Sequence, residues 1–364
     1  MQRKNKVWDV YQHTTSNTGV ALTLPNKPGL YRESPLYGIS LRWTGRLTLT
    51  GSAGTIVCPE AGPNVFQKIT VKGTIKGKGD QVIFDMDGAM AQRYAQIFYG
   101  GTAYENTSTP ALATSNGSYD IAVTVPIYFV QPGLPDLPVR DANGNRLPSM
   151  TDRTLLMANR FSSLILEVTF ANGANFVNGP ATRALTAFGS GTGNPQCTVT
   201  VMPVNMGAFQ DTLPVALLKR TVSMKYQLLT NVVQGAIGPT LNTGSATNRL
   251  LVRTGTLVSG NTEYPAMNTL SDTVVTRAQI RRNDIPIQDG YWQEVNQLNK
   301  GEYKLEQWPV GYHVINLVQD GDPTDALKTF LYNSKNVRLN FGGDATTVSN
   351  AEIDIMQEEV TLQY

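Results

Sequence analysis

Short runs of alternating apolar and polar residues, split by Gly, Pro, Asn and Asp, dominate the chain. In residues 164–170 (LILEVTF) the alternation puts Leu164, Leu166, Val168 and Phe170 on one face, the period of two that a half-buried strand requires. The same pattern predicts strands at 39–50, 65–72, 119–130, 162–170 and 198–204 in the first half. In the second half it predicts them at 222–229, 249–258, 273–281, 312–318, 336–341 and 351–362. Only two segments carry helical spacing. Residues 88–98 align Met90, Tyr94, Ile97 and Phe98, with Asp87 as N-cap and Gly100-Gly101 as the stop. Residues 291–299 align Trp292, Val295 and Leu298, with Asp289 or Gly290 before them and Gly301 after. The expected fold class is all-β.

The two helices expose an internal repeat. Residues 65–72 (VFQKITVK) align with 274–281 (VVTRAQIR), matching apolar, polar and basic positions in order. Upstream, Gly51 and Gly260 keep the same offset. Downstream, Asp87-Gly88 and Asp289-Gly290 each precede a helix, Phe129-Val130-Gln131 matches Leu317-Val318-Gln319, and 164–170 matches 337–341. The order strand, strand, helix, strand, strand, strand thus occurs twice. The boundary is placed at Asp211-Thr212-Leu213-Pro214, because proline cannot continue a central strand. Long Gly-, Asn-, Ser- and Pro-rich loops (100–118, 132–152, 171–196, 232–248 and 342–350) are read as exposed or functional. Two sandwiches of about eight strands suggest the jelly roll, whose Greek-key connections close a double sheet. The expected division is an N-terminal arm over 1–30, a first jelly roll over 31–210 and a second over 211–364, each sandwich carrying its short helix at the same point.

Composition narrows the function. Lys+Arg 30 against Asp+Glu 28 leaves a formal charge of +2, which argues against general nucleic-acid binding. Charged residues are 16%, below the roughly 25% of soluble domains, so much surface is uncharged or buried between chains. Two histidines, His13 and His313, do not suit a His-rich metal centre, and two cysteines, Cys58 and Cys197, are read as buried thiols. No secretory h-region follows the basic start, and no run of 18 apolar residues is present.

Candidate chemistry is thin. His313 sits in an alternating strand and is read as facing solvent or a subunit contact; no Gly-x-Ser-x-Gly elbow accompanies it. Asp85-Met86-Asp87-Gly88 resembles a metal-binding Asp-x-Asp, but helix capping explains Asp87. Asp141-Ala142-Asn143-Gly144-Asn145 lacks the distal glutamate of a calcium loop and is read as a turn. Glu358 and Glu359 are adjacent on a strand and point to opposite faces; Asp120 and Glu167 have no pairing the sequence can establish. Arg42 and Arg46 share a strand face read as solvated or intersubunit. No catalytic residue, cofactor or metal is assigned. One segment has a partner signal: Arg3, Lys4 and Lys6, with Trp8 and Tyr11, combine cations and interfacial aromatics as an anionic membrane surface or an inner-shell contact would require.

The twin strand–Asp-Gly–helix units (65–98 and 274–299) carry a family resemblance. So do the Val-Pro-Ile-Tyr-Phe-Val run within 119–132, the strand 160–170 ending in Phe-Ala-Asn, and the Cys197 strand leading to 211–214. From about residue 30 onward the chain resembles the double jelly-roll major capsid proteins of tailless icosahedral double-stranded DNA viruses, especially tectivirus-like phages with an internal membrane. It departs from them in a shorter N-terminal arm and different loops. The resemblance implies a non-enzymatic shell protein located in the virion and made in the host cytoplasm. It implies a pseudo-hexameric homotrimer that contacts neighbouring capsomers, vertex (penton) and minor capsid proteins, and the internal membrane through its arm, without sequence-specific nucleic-acid binding. The rival reading is a two-jelly-roll carbohydrate-binding or carbohydrate-active protein, with Trp43, Trp292 and Trp308 exposed for stacking on sugars.

Overall fold

The computed structural model describes residues 2–3, 5–12, 21–23, 29–51, 63–75, 79–100, 117–131, 142–143, 150–170, 183–188, 196–205, 217–228, 236–242, 245–257, 267–273, 275–282, 285–318, 327, 337–342 and 351–362. The first half holds β1 (Gln2–Arg3), β2 (Lys6–Gln12), β3 (Ala21–Thr23), β4 (Leu36–Gly51), β5 (Phe66–Ile75), β6 (Gly79–Met86) and helix α1 (Gly88–Tyr99). It continues with β7 (Gly117–Tyr128), one helical turn α2 (Met150–Arg153), β8 (Ser163–Phe170), β9 (Arg183–Phe188) and β10 (Gln196–Asn205). The second half holds β11 (Leu217–Leu228), β12 (Ala236–Thr240), β13 (Ala246–Leu257), β14 (Met267–Leu270), β15 (Arg277–Arg282) and β16 (Ile285–Tyr291). Helix α3 (Trp292–Glu302), β17 (Tyr312–Asn316), β18 (Val337–Gly342) and β19 (Ala351–Leu362) complete it.

Each half is a two-layered jelly roll with the same strand order. In the first, β2-β10-β4-β7 form one layer and β3-β8-β5-β6 the other. In the second, β11-β19-β13-β17 face β12-β18-β15-β16. Leaving aside β1, β9 and β14, both halves read first-eighth-third-sixth in one layer and second-seventh-fourth-fifth in the other. Each helix lies between the fifth and sixth strands. The segments matched by sequence fall on equivalent strands: β5 with β15, the end of β7 with the end of β17, and β8 with β18. The passage between sandwiches lies in 206–216, outside the described residues and including 211–214.

The expected arm over 1–30 is corrected. Strand β2 pairs antiparallel with β10 along Lys6–Gln12, and β3 pairs with β8 at Ala21–Thr23. These are the first two strands of the first jelly roll, so that sandwich takes in residues before 31. The physical reason is edge satisfaction: β10 and β8 would otherwise leave a row of backbone donors and acceptors without a ladder.

Burial follows the alternation. Leu164, Leu166, Val168 and Phe170 are all buried in the first core, with Trp43, Phe66 and Phe84. The second core gathers Leu250, Val252, Trp292, Leu339, Phe341 and Ile355. Asp87 caps α1 as expected: its Oδ1 accepts from the Met90 amide at 2.8 Å. Gly100 ends the helix at φ 64°, a left-handed conformation that glycine adopts without a Cβ penalty. The second helix differs from expectation. Tyr291 stands at its N-cap with no side-chain cap, Gly301 lies inside it, and Asp289 is engaged by Arg277 (Nε 2.6 Å) and Gln279 (2.8 Å).

Candidate functional site

The two sandwiches meet through a strand pair and a helix. The edge of β6 pairs in parallel with β11 at Phe84–Thr221 and Asp85–Val222, so one layer of each half joins into a continuous sheet. Side chains reinforce the seam: Arg220 Nε donates to the Val82 carbonyl at 2.7 Å and Ser223 Oγ to that of Asp85 at 2.9 Å. Helix α1 then lies on the outer face of the β11-β19-β13-β17 layer. Alternation explains why that face can receive it. On β13, Leu250 and Val252 point into the second core, while Arg249, Leu251 and Arg253 point at α1.

That contact is a buried ionic network. Arg253 binds two carboxylates: Asp87 through both terminal nitrogens (2.6 and 3.2 Å) and Asp354 through Nε at 3.0 Å. The Lys219 ammonium donates to the Tyr94 and Tyr99 hydroxyls at 2.8 and 2.7 Å, and Tyr94 donates to Glu358. Glu358 also accepts from Asn248 at 3.3 Å and pairs with Arg249 at 3.4 Å. Lys219, Arg249 and Arg253 therefore stand against Asp87, Asp354 and Glu358 in a site shielded from water. Burial pulls Lys219 down to about 7, opposed by the Glu358 charge. Burial raises Tyr94 well above its ordinary value, and the Glu358 charge adds to it. Burial pushes Glu358 up, but Arg249 and Lys219 outweigh it and hold the carboxylate below its usual range. Taking such charges out of water is costly, so the network contributes through geometry: the bonds that cross between the halves, Arg253 to Asp87 and Tyr94 to Glu358, form in one arrangement of the halves only.

The sequence-selected residues lie elsewhere. Arg3 pairs by register with Val204, and Lys4 lies outside the described residues. Lys6 is exposed, its ammonium 5.7 Å from the Trp8 ring and 5.4 Å from Tyr31. Trp8 is half-buried against the first core and donates Nε1–H to the Gly29 carbonyl at 3.1 Å. Tyr11 sits on β2 opposite Cys197. Cys197 is a free buried thiol pushed up to about 12 by desolvation; Cys58 and His13 lie outside the described residues.

His313 is corrected. It is fully buried, stacked on Trp292 at 4.4 Å and 8°, with Nδ1 3.0 Å from Asn296 and Nε2 3.2 Å from the Thr254 hydroxyl. Burial drives it down to about 3, so it is neutral. Thr254 already donates to the Ser271 carbonyl at 2.6 Å, so the pair offers no accessible nucleophile. Above it opens a cleft of about 610 Å³ lined by Asp272, Tyr291, Glu294, Lys300 and Trp308 among others. The sugar-stacking trio is also corrected: Trp43 and Trp292 are buried at 0% and 2% exposure, and Trp308 is half-buried with Nε1 donating to the Tyr312 carbonyl. Glu358 and Glu359 point to opposite faces, yet both are buried, and Glu359 meets Arg220 at 3.5 Å. Glu167 is engaged by Lys72 at 2.6 Å. Asp141, Gly144 and Asn145 of the turn motif lie outside the described residues. Among the described residues no cluster of three metal-ligating side chains occurs.

Exposed apolar side chains are concentrated. Among the described residues the large ones are Val7 on β2, Ile285, Ile287 and Tyr291 on β16, Leu298 on α3, and Val310 just beyond it. Strands β2 and β16 both end their layers.

No protein-family model and no curated protein matches the sequence. Solved structures do match the fold along the whole chain. The STIV major capsid protein superposes with TM-score 0.66 at 13% identity, covering 100% of this chain and 98% of that one. The Faustovirus major capsid protein gives 0.57 at 6%, covering 99% and 90%. The major capsid protein of bacteriophage PM2 gives 0.56 at 11%, covering 100% and 98%. The fold is the double jelly roll of these proteins.

Proposed function

We propose that the chain is a viral major capsid protein. It self-associates as a pseudo-hexameric homotrimer and tiles an icosahedral shell around a membrane-enclosed double-stranded DNA genome. One observation carries this reading: two sandwiches of identical strand order fused side by side and locked by a buried seam, the layout shared with the capsid proteins above. A fused pair presents two near-equivalent edges per chain, so repeated head-to-tail contacts close into a ring when the rotation per sandwich divides a full turn. Three chains supply six sandwiches. Affinity comes from buried area and shape, with no bond-making step. Neighbouring capsomers, vertex and minor capsid proteins would meet the outer surfaces. The exposed Lys6 beside Val7 supports contact of the N-terminal segment with an anionic membrane or an adjacent subunit.

Size-exclusion chromatography with light scattering tests the proposal. A stable species at three times the 39.7 kDa chain mass is expected. A monomer that retains glycans on a saccharide array would instead establish the carbohydrate-binding alternative.

A further inference from the structure

The intramolecular seam has an unoccupied counterpart on the same chain. Within the chain, the fifth strand of the first sandwich (β6) pairs with the first strand of the second (β11), and α1 covers the outer face of the adjoining layer. The fifth strand of the second sandwich is β16, which ends its layer among the described residues. The first strand of the first sandwich is β2, which pairs with β10 and ends its own layer.

The helices make the comparison residue by residue. In both, the first and eighth positions turn inward: Gly88 and Ala95 on α1, Trp292 and Asn299 on α3. The two helices therefore sit in the same rotational phase. At the seventh position α1 has Tyr94, 1% exposed because the second sandwich covers it. At the seventh position α3 has Leu298, 74% exposed. An isolated leucine left that bare is unremarkable, but Ile285 at 70% and Ile287 at 45% are exposed on β16, the strand that leads into this helix, and Val310 at 56% follows the helix. Of the two other exposed large apolar residues among the described ones, Tyr291 at 48% closes β16, and Val7 at 59% lies on β2, the opposite member of the missing pair.

Charge agrees with the match. The outer face of the second sandwich meets α1 with Lys219 on its first strand and Arg249 and Arg253, four apart, on its third. The first sandwich carries Lys6 on its first strand and Arg42 on its third, both exposed. Helix α3 and its flank present two acids, Glu294 and Asp272, against one cation, Lys300, at the 610 Å³ cleft.

We infer that β16 and α3 form the socket for the first sandwich of a second copy of this chain. The edge of β16 lies against β2 of that copy, and Leu298 is buried on its β2-β10-β4-β7 layer, as β6 and Tyr94 engage the second sandwich within one chain. This rests on the self-association proposed above and assigns its contact residues. Tyr94 finds an ionic partner set; Leu298 does not, so the contact between copies is apolar at that point, with charge confined to its rim. Such an interface forms after each chain has folded, as assembly of identical tiles requires.

Two measurements on the full-length chain test it. Leu298→Lys alters an exposed position, so the fold should persist by circular dichroism and thermal melting while light scattering reports one chain instead of three. In a Cys58→Ser background, Val7→Cys with Ile287→Cys treated with a short bis-maleimide should give covalent dimers and trimers on a denaturing gel, and neither single cysteine variant should. The buried Cys197 thiol is shielded from the reagent. A wild-type trimer that survives Leu298→Lys and gives no linked product overturns this interface while leaving the shell reading intact. A monomeric wild type overturns both.

Discussion

Arg253 holds the carboxylate that caps α1: its terminal nitrogen lies 2.6 Å from Asp87 Oδ2, while Asp87 Oδ1 receives the Met90 amide at 2.8 Å. One side chain thus begins a helix of the first sandwich and anchors it to the second. Removing it strips a helix cap and leaves a buried guanidinium short of a partner. Asp87→Ala should cost about 3–5 kcal/mol, the range for breaking a buried pair, measured by urea unfolding. Asp87→Asn keeps a cap acceptor and should recover about 1 kcal/mol of that. A loss below that of an exposed control such as Glu306→Ala would show that the network does not lock the halves.

Acid should weaken the fold through His313. Its folded value lies near 3 and its unfolded value near 6.5, so between those limits the unfolded chain binds the extra proton. Stability is fully present above about pH 6.5 and falls on acidification by up to about 1.4 kcal/mol per pH unit. Denaturant titrations from pH 7 to 4 should show the slope in the wild type and a shallower one in His313→Phe, which keeps the stack on Trp292. Equal slopes would contradict the buried neutral imidazole.

Lys219 works at the other end of the scale. Its folded value is near 7 against an ordinary 10.5, so the unfolded state holds more protons between them and stability rises with pH across that window. Lys219→Met should abolish this rise between pH 7 and 9, read by the same titrations. A rise unchanged in the variant would assign the effect to another group.

The strands can be tested singly. Val168 is 3% exposed and pairs in register with Ile69, so Val168→Asp buries an unpaired charge and should yield insoluble protein. Soluble, cooperatively melting protein would contradict its inward position.

Deleting residues 1–12 should do more than remove a tail. It takes away the ladder on β10 and the Trp8 packing, so the first sandwich should melt earlier and aggregate through its bared edge. An unchanged melting temperature would return this segment to the status of an appendage.

The strand at 164–170 was legible because it buries one face; 351–362 also appears where its alternation places it, although α1 covers its second face and buries Asp354 and Glu358 as well. The α1 caps were legible because Asp87 and Gly100 act locally. Strands β2, β3, β12 and β16 were not. Two span five residues or fewer, β16 holds Pro286 and Gly290, and β2 mixes charge with aromatics, so only pairing across the chain identifies them. The buried network left one trace, Arg249 and Arg253 bracketing an apolar Leu-Leu-Val run. Nothing local says that α1 would cover that face, because the contact spans 166 residues between Asp87 and Arg253.

The most direct measurement is electron microscopy of the purified protein with two-dimensional averaging. The account predicts a flat, three-fold plate showing six lobes, every junction between lobes alike. Averages dominated by a two-lobed particle with bare β16 and β2 edges would contradict it.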